Sequence, residues 1–471
     1  MRFPEPTRPM SSEHLDAIII GTGQAGKPLA GAYARAGMNA VIVEKGRVGG
    51  TCVVEGCTPT KTMVASARVA HLARRAADFG VTTGPVSVDL SAVRDRKRAI
   101  VDSWSAGSQN GMERHETLEL VFGTARLSGP QEVTVALNEG GERVLTADRI
   151  FLNVGTRPRI PPIQGLDSTD YLTSTSIMEL ADVPDHLVVL GGGYIGLEFG
   201  QMFRRFGARV TILDAGPRLL SREDEDVSAE LRDILECEGI DIITGVRASK
   251  VESGGEGVRL HFTSPTGGRT VEGSHLLLAT GRIPNTDDLG LENAGLAANA
   301  RGFVEVDDQL ETAVPGIYAL GDVNGGPPFT HIAYDDFRVV RDNLLGAGGA
   351  SRESRPLPYT LFTDPQLGRI GLTEAEARQR GHNVRIASLP MSRVARAIEG
   401  AETRGLMKAV VDADTERILG AAILGIEGGE IATVIQMAMM GDLPYTAVRD
   451  GVFSHPTLSE SLNNLFMAME A

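Results

Sequence analysis

Two stretches of the chain share one pattern of apolar, small and polar residues. Residues 16–45 run from an apolar segment through a glycine-rich turn and a helix of small residues into a β-branched segment that ends in Glu44. Residues 186–215 repeat this layout and end in Asp214. A strand, a tight turn, a helix and a second strand form a βαβ unit. The pattern therefore predicts two such units and an α/β fold.

Each unit carries a G-x-G-x-x-G fingerprint between its first strand and its helix. One copy is a weak signal, but two copies in the same register, each followed 18 residues later by an acid, favour dinucleotide binding. The glycines permit a tight turn and a close approach to a pyrophosphate, and the acid accepts hydrogen bonds from ribose. Two units therefore imply two dinucleotides. The matching positions lie 170 residues apart: Gly21 and Gly191, Gly23 and Gly193, Gly26 and Gly196, and Glu44 and Asp214.

Composition and charge narrow the class of protein. The chain has 471 residues, enough for about three domains, and 61 acidic against 46 basic side chains give a net charge of −15. Such a chain lacks the basic surface that nucleic acid requires. No apolar run is long enough to span a membrane, so we expect no membrane partner. Residues 1–13 hold no apolar core of a signal peptide, and we expect a short disordered tail there and a cytoplasmic protein.

The sequence holds three cysteines, and two of them, Cys52 and Cys57, lie five positions apart in GGTCVVEGCTPTK. A zinc site would need two further soft or imidazole ligands, but no C-x-x-C follows and the only other cysteine is far away at position 237, so we predict no metal site. The pair is either two packed thiols or a redox centre. Its position between Gly50 and a helix expected to start near Pro59 favours a redox centre, because a helix N-terminus lowers a thiol pKa. Lys61, one helical turn beyond Cys57, would place a positive charge beside a thiolate.

Several motifs, taken in order along the chain, extend this interpretation. GGTCVVEGCTPTK, GGGYIGLE, ATGRIPN, ALGD and HPTLSE together closely resemble the class I pyridine nucleotide–disulfide oxidoreductases, such as dihydrolipoamide dehydrogenase, glutathione reductase and mercuric reductase, over about residues 14–466. The resemblance implies two Rossmann-like dinucleotide-binding domains and a C-terminal α+β dimerisation domain. The implied boundaries are 14–160 for an FAD-binding domain, 161–286 for an NAD(P)-binding domain, 287–355 for a central domain that completes the FAD site, and 356–471 for the dimerisation domain.

The resemblance also implies which residues hold the two cofactors, FAD and NADH or NADPH. The residues that would hold FAD are Gly21, Gly23, Gly26 and Glu44 at its ADP half, Thr51 and Lys61 along the flavin and pyrophosphate, and Asp322 at the ribityl chain. Those that would hold the nicotinamide dinucleotide are Gly191, Gly193, Gly196, Asp214 and, nearby, Gly281.

Five residues resemble the redox machinery of the family. Tyr194 resembles the aromatic gate over the flavin, and Glu198 the carboxylate that pairs with Lys61 near flavin N5. Cys52 would be the interchange thiol that faces the substrate. Cys57 would be the thiol in charge-transfer contact with the flavin.

His455 and Glu460, in SHPTLSE, resemble the acid/base pair of the family. A thiolate that attacks a disulfide expels another thiolate, which needs a proton, and imidazole titrates near neutral pH. In the family this histidine reaches the active site of the other subunit. The resemblance therefore implies a homodimer.

The electron acceptor divides the members of the family. FTHIAYDDFRVV and TRGLMKAVVD resemble mercuric-reductase-like proteins and reactive-chlorine-resistance flavoproteins, which reduce Hg(II) or Cu(II). Two features depart from mercuric reductase: the tail LFMAMEA lacks a vicinal cysteine pair, and no metal-binding domain precedes the flavin domain. A metal ion and a small disulfide both stay open as acceptors. Dihydrolipoamide dehydrogenase is the main alternative, and a non-catalytic flavin redox sensor is a remote one.

The choice of nicotinamide coenzyme depends on Asp214. An acid at this position favours NADH because it repels a 2′-phosphate. Arg218 lies four residues further on and could compensate, so NADPH stays open.

Three further features have structural interpretations. We expect Cys237 to be a buried or idle thiol. The acidic residues 223–226 are expected to form a solvated helix start. Met437, Met439 and Met440 are expected to pack in the core of the last domain.

Overall fold

A computed structural model describes residues 13–254, 257–265, 267–353 and 355–469. The tail predicted for residues 1–13 lies outside this range except for Glu13, at which the first strand begins. Within the described ranges, no helix is both long and apolar enough to cross a membrane.

Strands and helices alternate along most of the chain. The strands are β1 (Glu13–Ile20), β2 (Ala40–Glu44), β3 (Leu118–Gly129), β4 (Glu132–Leu137), β5 (Glu142–Leu152), β6 (Thr156–Pro158), β7 (His186–Leu190), β8 (Arg209–Leu213), β9 (Ile240–Ile243), β10 (Arg247–Gly254), β11 (Gly257–Ser264), β12 (Gly267–Gly273), β13 (His275–Leu278), β14 (Arg282–Pro284), β15 (Ile317–Ala319), β16 (Tyr359–Leu361), β17 (Gln366–Gly371), β18 (Val384–Pro390), β19 (Leu406–Asp412) and β20 (Ile418–Gly425). The α-helices are α1 (Gly26–Arg35), α2 (Gly50–Val54), α3 (Cys57–Arg74), α4 (Leu90–Glu113), α5 (Tyr194–Phe206), α6 (Glu225–Cys237), α7 (Thr330–Leu345), α8 (Glu374–Gln379), α9 (Ala395–Glu399), α10 (Gly428–Met440), α11 (Tyr445–Arg449) and α12 (Ser461–Met467).

The chain divides into two compact units, of which the first contains the described part of residues 1–59 together with 98–157 and 282–355. Its sheet places β1 between β2 and β5, all parallel, with β15 beyond β5. Strand β3 runs parallel to β2, and β4 pairs antiparallel with both β3 and β5. Ile18 and Ile19 of β1 pack into two different apolar clusters. This strand is therefore covered on both faces, as parallel strands are in α/β proteins.

The second unit contains residues 60–97, 158–281 and the described part of 356–471. One part is a parallel sheet in the order β13, β7, β8, β9, in which β7 is fully buried and leads into α5. A second, antiparallel sheet joins β10, β11 and β12. The C-terminal part is a five-stranded antiparallel sheet in the order β16, β17, β20, β19, β18. Apolar residues of α10 and α12 pack on this sheet, among them Ile431, Ile435 and Leu465.

The α/β class predicted from the sequence is confirmed. Each unit holds a parallel sheet with a helix directly after its first strand, and an α+β part follows at the C-terminus. The boundaries of the four predicted domains stay a prediction.

Candidate active site

The turn after β1 is shaped by its glycines and by one buried amide. Gly21 has a φ of +103°, which side chains rarely adopt, and a Cβ on Gly26 would lie 2.2 Å from the Gly21 carbonyl oxygen. Asn153 Oδ1 accepts a hydrogen bond from the Gly26 N–H at 2.9 Å, and its Nδ2 donates to the Leu320 carbonyl at 2.8 Å. The Asn153 amide therefore joins three distant segments around the turn.

The carboxylate of Glu44, at the end of β2, faces the same turn. Its Oε2 accepts from the N–H of Thr22 at 3.2 Å and from the Thr22 hydroxyl at 2.5 Å. Its Oε1 accepts from the Gly46 N–H at 2.9 Å. Oε1 keeps a lone pair for a ribose hydroxyl, so this turn fits the adenosine end of a dinucleotide.

The turn after β7 repeats this geometry in the second unit. A Cβ on Gly196 would lie 1.9 Å from the Gly191 carbonyl oxygen. The carboxylate of Asp214 accepts from the N–H groups of Gly192 and Gly216, both at 2.6 Å. Here too the acid at the end of the second strand is oriented by the backbone of the glycine-rich turn.

Gly193, at the N-cap of α5, is open. Its φ is −83°, and a Cβ at this position would meet nothing within 4 Å. A pyrophosphate could therefore approach this backbone and the helix N-terminus. Gly281, the last residue of the 158–281 segment of the second unit, is also open and has a φ of +107°. This unit therefore fits a second dinucleotide.

Asp322, in the ALGD motif, is held in the first unit. It accepts a hydrogen bond from the Thr156 hydroxyl at 2.9 Å. Arg282 donates to the same hydroxyl at 2.8 Å and to the Thr156 carbonyl at 2.6 Å. The N–H of Gly321 donates to the buried carboxylate of Asp336 at 2.7 Å. These contacts orient Asp322 directly after β15.

Cys52 and Cys57 are both in the thiol form. Cys52 is half-buried in α2, where its neighbour Thr51 is exposed, and Cys57 is the first residue of α3. The helix thus begins two residues before Pro59, which lies in the first turn, where no backbone donor is required. Cys57 Sγ lies 3.2 Å from the hydroxyl of Thr330, the first residue of α7.

The two thiols influence each other's acidity. The hydrogen bond to Cys57, burial and the charge of Cys57 raise the pKa of Cys52, against the smaller effects of Thr330 and Lys27. A negative charge on Cys57 therefore disfavours a second negative charge on Cys52.

Lys61 and Glu198 form an ion pair within the second unit, with 2.6 Å between Nζ and Oε2. Glu198 is buried in α5, and its Oε1 accepts from the N–H of Phe362 at 2.9 Å. The Lys61 ammonium lies 4.7 Å from the centroid of the Phe362 ring. The structure thus brings together the two residues that the resemblance pairs, and it adds Phe362.

Tyr194, the first residue of α5, belongs to a buried polar network. Its ring centroid lies 5.7 Å from that of Tyr359, whose hydroxyl donates to Glu223 at 2.6 Å. Burial raises the pKa of Glu223, and the charge of Arg369, with Nε 3.5 Å from the carboxylate, opposes this shift.

The acidic run 223–226 is not solvated at its start, so that prediction is wrong for Glu223 and Asp224, both of which are buried. The C-terminal part of the unit covers them. Lys408, itself buried, lies 3.5 Å from Asp224 and 2.9 Å from Asp226. Cationic partners on the facing sheet therefore replace water around these carboxylates.

His455 and Glu460 are in contact. Nδ1 of the imidazole lies 2.8 Å from Oε2 and 2.9 Å from Oε1 of the carboxylate. His455 is 69% exposed, and its peptide bond to Pro456 is cis. Because Nδ1 faces the carboxylate, proton exchange with a substrate falls to Nε2.

The methionine prediction is wrong for two of its three residues. Met437 and Met440 are each 60% exposed, because α10 turns Ile431, Ile435 and its alanines toward the sheet instead. Met439 packs against the core. Cys237, at the end of α6, is exposed.

The residues in these contacts that the sequence analysis did not assign to the site include Asn153, Thr330 and Phe362. An amide directly after an apolar strand is a turn signal that could have indicated Asn153. Thr330 has no local signal, since its partner Cys57 lies 273 positions away. The described residues hold no group of three or more His, Cys, Asp and Glu side chains arranged to bind a metal ion.

Fold and site together define a class of protein. Two dinucleotide loops and a hydrogen-bonded pair of thiols are the parts of a dinucleotide-dependent disulfide oxidoreductase. Residues 15–336 match the family described as pyridine nucleotide-disulphide oxidoreductase, and residues 357–466 match its dimerisation domain. The chain belongs to this family and is an FAD-dependent oxidoreductase linked to a pyridine nucleotide. The family and enzyme class predicted from the motifs are confirmed, and the dimerisation domain supports a homodimer.

Known relatives cover nearly the whole chain. It is 38% identical over 454 residues to the probable pyridine nucleotide-disulfide oxidoreductase RclA of Escherichia coli (strain K12), covering 96% of this chain and 98% of that protein. It is 37% identical over 448 residues to a mercuric reductase of Streptomyces lividans (95% and 94% covered) and 31% identical over 471 residues to the dihydrolipoyl dehydrogenase of Bacillus subtilis (strain 168; 98% and 99%). The solved Cu(II) complex of the HOCl-induced flavoprotein disulfide reductase RclA from Escherichia coli matches the fold with a TM-score of 0.89 at 37% identity, covering 97% of this chain and 99% of that chain.

Proposed function

We propose that this protein is an NAD(P)H-dependent reductase whose Cys52–Cys57 pair delivers electrons to a metal ion, Cu(II) or Hg(II), or to a small disulfide. The observation that carries the proposal is the hydrogen-bonded thiol pair, in a chain similar to RclA and to mercuric reductases over nearly its whole length. When bound, FAD supplies the two-electron link between the nicotinamide and the cysteines.

The first unit would hold FAD, and the second the nicotinamide dinucleotide. The glycine turns and the oriented carboxylates of Glu44 and Asp214 support this assignment. The FAD residues proposed in the first unit are Gly21, Gly23, Gly26, Glu44, Thr51 and Asp322. The proposed nicotinamide dinucleotide residues are Gly191, Gly193, Tyr194, Gly196, Asp214 and Gly281.

The preferred coenzyme in this proposal is NADH. The Asp214 carboxylate lies at the turn, where it would repel a 2′-phosphate. The Arg218 guanidinium donates to the carbonyls of Ser221 at 3.4 Å and Glu223 at 3.3 Å. It is therefore engaged in its own loop, which argues against its compensating Asp214.

With a disulfide as acceptor, the chain's own groups suffice for the second half of the reaction. His455 of a second subunit takes the proton of the Cys52 thiol, and the resulting thiolate attacks one sulfur of the acceptor and expels a thiolate, which takes that proton back from His455. Cys57 then attacks Cys52 Sγ and breaks the mixed disulfide. This restores the Cys52–Cys57 disulfide, and the second leaving thiolate takes the proton of the Cys57 thiol. Glu460 would hold the imidazole in the orientation that proton transfer requires. The ion pair with Glu198 would hold the Lys61 ammonium in a fixed position.

Dihydrolipoamide dehydrogenase activity is the second candidate. The 31% identity to the Bacillus subtilis enzyme over the full chain supports it. The proposed cysteine pair, ion pair and His–Glu pair serve dithiol oxidation as well as acceptor reduction, so these residues do not separate the two functions.

Stopped-flow spectroscopy tests the redox centre. Reduction of the holoenzyme by NADH should give a long-wavelength charge-transfer band that Cys57→Ser abolishes and Cys52→Ser retains. Cys237→Ser, which removes the exposed third thiol, is the matched control and should leave both band and turnover unchanged. A band that persists in Cys57→Ser, or that is absent from the wild type, would overturn the assignment.

Steady-state assays test the acceptor. Hg(II), Cu(II) and oxidised glutathione are compared under NADH, and dihydrolipoamide under NAD. We expect a metal ion or the disulfide to give the highest kcat/KM. A preference for dihydrolipoamide by orders of magnitude would replace the proposed function with the second candidate.

A further inference from the structure

The helix that carries Cys52 is pinned to the first dinucleotide turn. A Cβ on Gly50 would lie 2.6 Å from the Cα of Gly23, so the two backbones touch. The Gly49 N–H donates to the Thr22 hydroxyl at 3.0 Å, and the Gln24 amide donates to the Gly49 carbonyl at 3.2 Å. The position of α2 is therefore fixed relative to the first turn of α1.

Lys27 lies in that first turn of α1. Its Nζ donates to the Ser108 hydroxyl of α4 at 3.3 Å. One turn earlier in α4, the buried Ser105 hydroxyl donates to the Val48 carbonyl at 2.7 Å, just before the pinned segment. Two serines on one face of α4 thus hold the lysine and the backbone that leads to Cys52.

The first turn of α1, fixed against α2, carries the Lys27 ammonium, whose charge lowers the pKa of Cys52. Burial lowers the pKa of Lys27, and the charge of Cys52 opposes this shift. A second cation, the Arg282 guanidinium, interacts with Cys57 but also with the carboxylates of Asp322 and Glu55. The two thiols therefore have different electrostatic surroundings: carboxylates accompany the cation beside Cys57, whereas Lys27 interacts with Cys52 itself.

We propose that Lys27 is a specificity-determining residue that stabilises negative charge at Cys52 and favours acceptors that are themselves anionic near the reacting atom. A disulfide that bears carboxylates, or a metal ion already bound by anionic ligands, fits this charge, whereas a hydrated metal cation is repelled. The inference rests on the proposed function, in which Cys52 is the thiol that faces the acceptor. The positive charge of Lys27 comes from the same subunit as the Cys52 thiol, and it acts without transferring a proton.

Alkylation of the NADH-reduced holoenzyme tests this role without any acceptor. Iodoacetate is anionic and iodoacetamide is neutral, and both label the same thiol. Mass spectrometry of the Cys52 peptide gives the rate of each. A nearby positive charge raises the rate of alkylation by the anionic reagent more than the rate by the neutral one. The iodoacetate-to-iodoacetamide rate ratio should therefore fall about three- to ten-fold in Lys27→Gln. It should fall further in Lys27→Glu and stay near the wild-type value in Lys27→Arg.

Two controls keep the test decisive. Lys45→Gln removes an exposed lysine of the same unit and should leave the ratio unchanged. In the wild type alone, the ratio should decrease as ionic strength rises, because salt screens the charge. An unchanged ratio in Lys27→Gln, equal slowing by both reagents, or a salt-independent wild-type ratio would each overturn the role of Lys27. Since no acceptor is present, none of these results bears on whether the enzyme reduces a metal ion or a disulfide.

Discussion

At the scale of single residues, the glycines of one turn serve two different purposes. Gly196 is required by the fold, because a Cβ would lie 1.9 Å from the Gly191 carbonyl oxygen. Gly193 is not, because it has an ordinary φ and open space around it. A residue that the fold does not need as glycine, at the N-terminus of a helix after a parallel strand, is one that a ligand needs.

Gly193→Ala should therefore separate stability from binding. We expect an unchanged thermal unfolding temperature and FAD content, but a KM for NADH raised about tenfold or more, equivalent to about 1.4 kcal/mol of lost binding. Calorimetry and initial rates measure the two effects. Gly196→Ala is the matched control and should destabilise the protein by about 1–3 kcal/mol through overpacking. An unaltered KM for NADH in Gly193→Ala would contradict the proposal that the pyrophosphate binds at this turn.

At the scale of elements, a buried charge cluster ties α3, α5 and α6 to the loop before β17. Arg205 of α5 donates to Glu238 at 2.8 Å and also pairs with Asp364, which Arg68 of α3 contacts as well. Burial alone would raise the pKa of Asp364 and of Glu238, but the Arg205 guanidinium lowers both overall. His71 of α3 lies in the field of Arg205 and Arg404.

The position of His71 predicts a loss of stability in mild acid. Burial and the charge of Arg205 lower its pKa to about 4, against about 6.5 in an unfolded chain. Between these values the unfolded state binds a proton that the folded state does not, so stability falls as pH falls from about 6.5 to about 4. Calorimetric unfolding temperatures measured from pH 7 to 4.5 should fall less steeply in His71→Gln.

The neighbouring carboxylates act in a different pH window. The depressed pKa values of Asp364 and Glu238 give stability that is complete above their unfolded values, near 4, and is lost below them. Equal slopes for the wild type and His71→Gln above pH 4.5 would contradict the assignment to His71.

Local patterns carried most of what the sequence could predict. The glycine fingerprints and the cysteine pair are visible in local spacing, and the resemblance to the family adds the HPTLSE motif. Asn153 and Gly26 are 127 positions apart, and nothing in either segment marks the contact. The prediction of a solvated run at residues 223–226 was wrong for the same reason, because the burial of its first residues depends on Lys408, which lies far along the chain.

At the scale of the whole molecule, apolar side chains remain exposed in the C-terminal part. Met437, Met440 and Leu443 lie at the end of α10 and just beyond it, and Val452 is fully exposed. Exposed apolar side chains grouped in this way mark interaction surfaces. In a chain with a dimerisation domain, we expect this group to face a second copy.

The double variant Met437→Glu/Met440→Glu should weaken the dimer. Buried like charges oppose association, so sedimentation should show monomer at concentrations at which the wild type is dimeric. Reduction of the flavin by NADH should persist while acceptor turnover falls, because His455 would act across subunits. Val144→Glu, on the first unit's antiparallel β3–β5 segment, adds one exposed charge as a control. A double variant that remains dimeric would exclude this surface from the interface.

The contacts of the Asn153 amide also set the order in which the two units can fold during synthesis on the ribosome. It bridges Gly26 and Leu320, and β15 completes the sheet of the first unit only at residues 317–319. The parallel sheet of the second unit is already complete at Leu278. At about 5–20 residues per second, the first turn to be translated waits on the order of tens of seconds for its last partner. During that interval Cys57 has already been translated, whereas Thr330, whose hydroxyl lies 3.2 Å from its Sγ in the folded protein, has not.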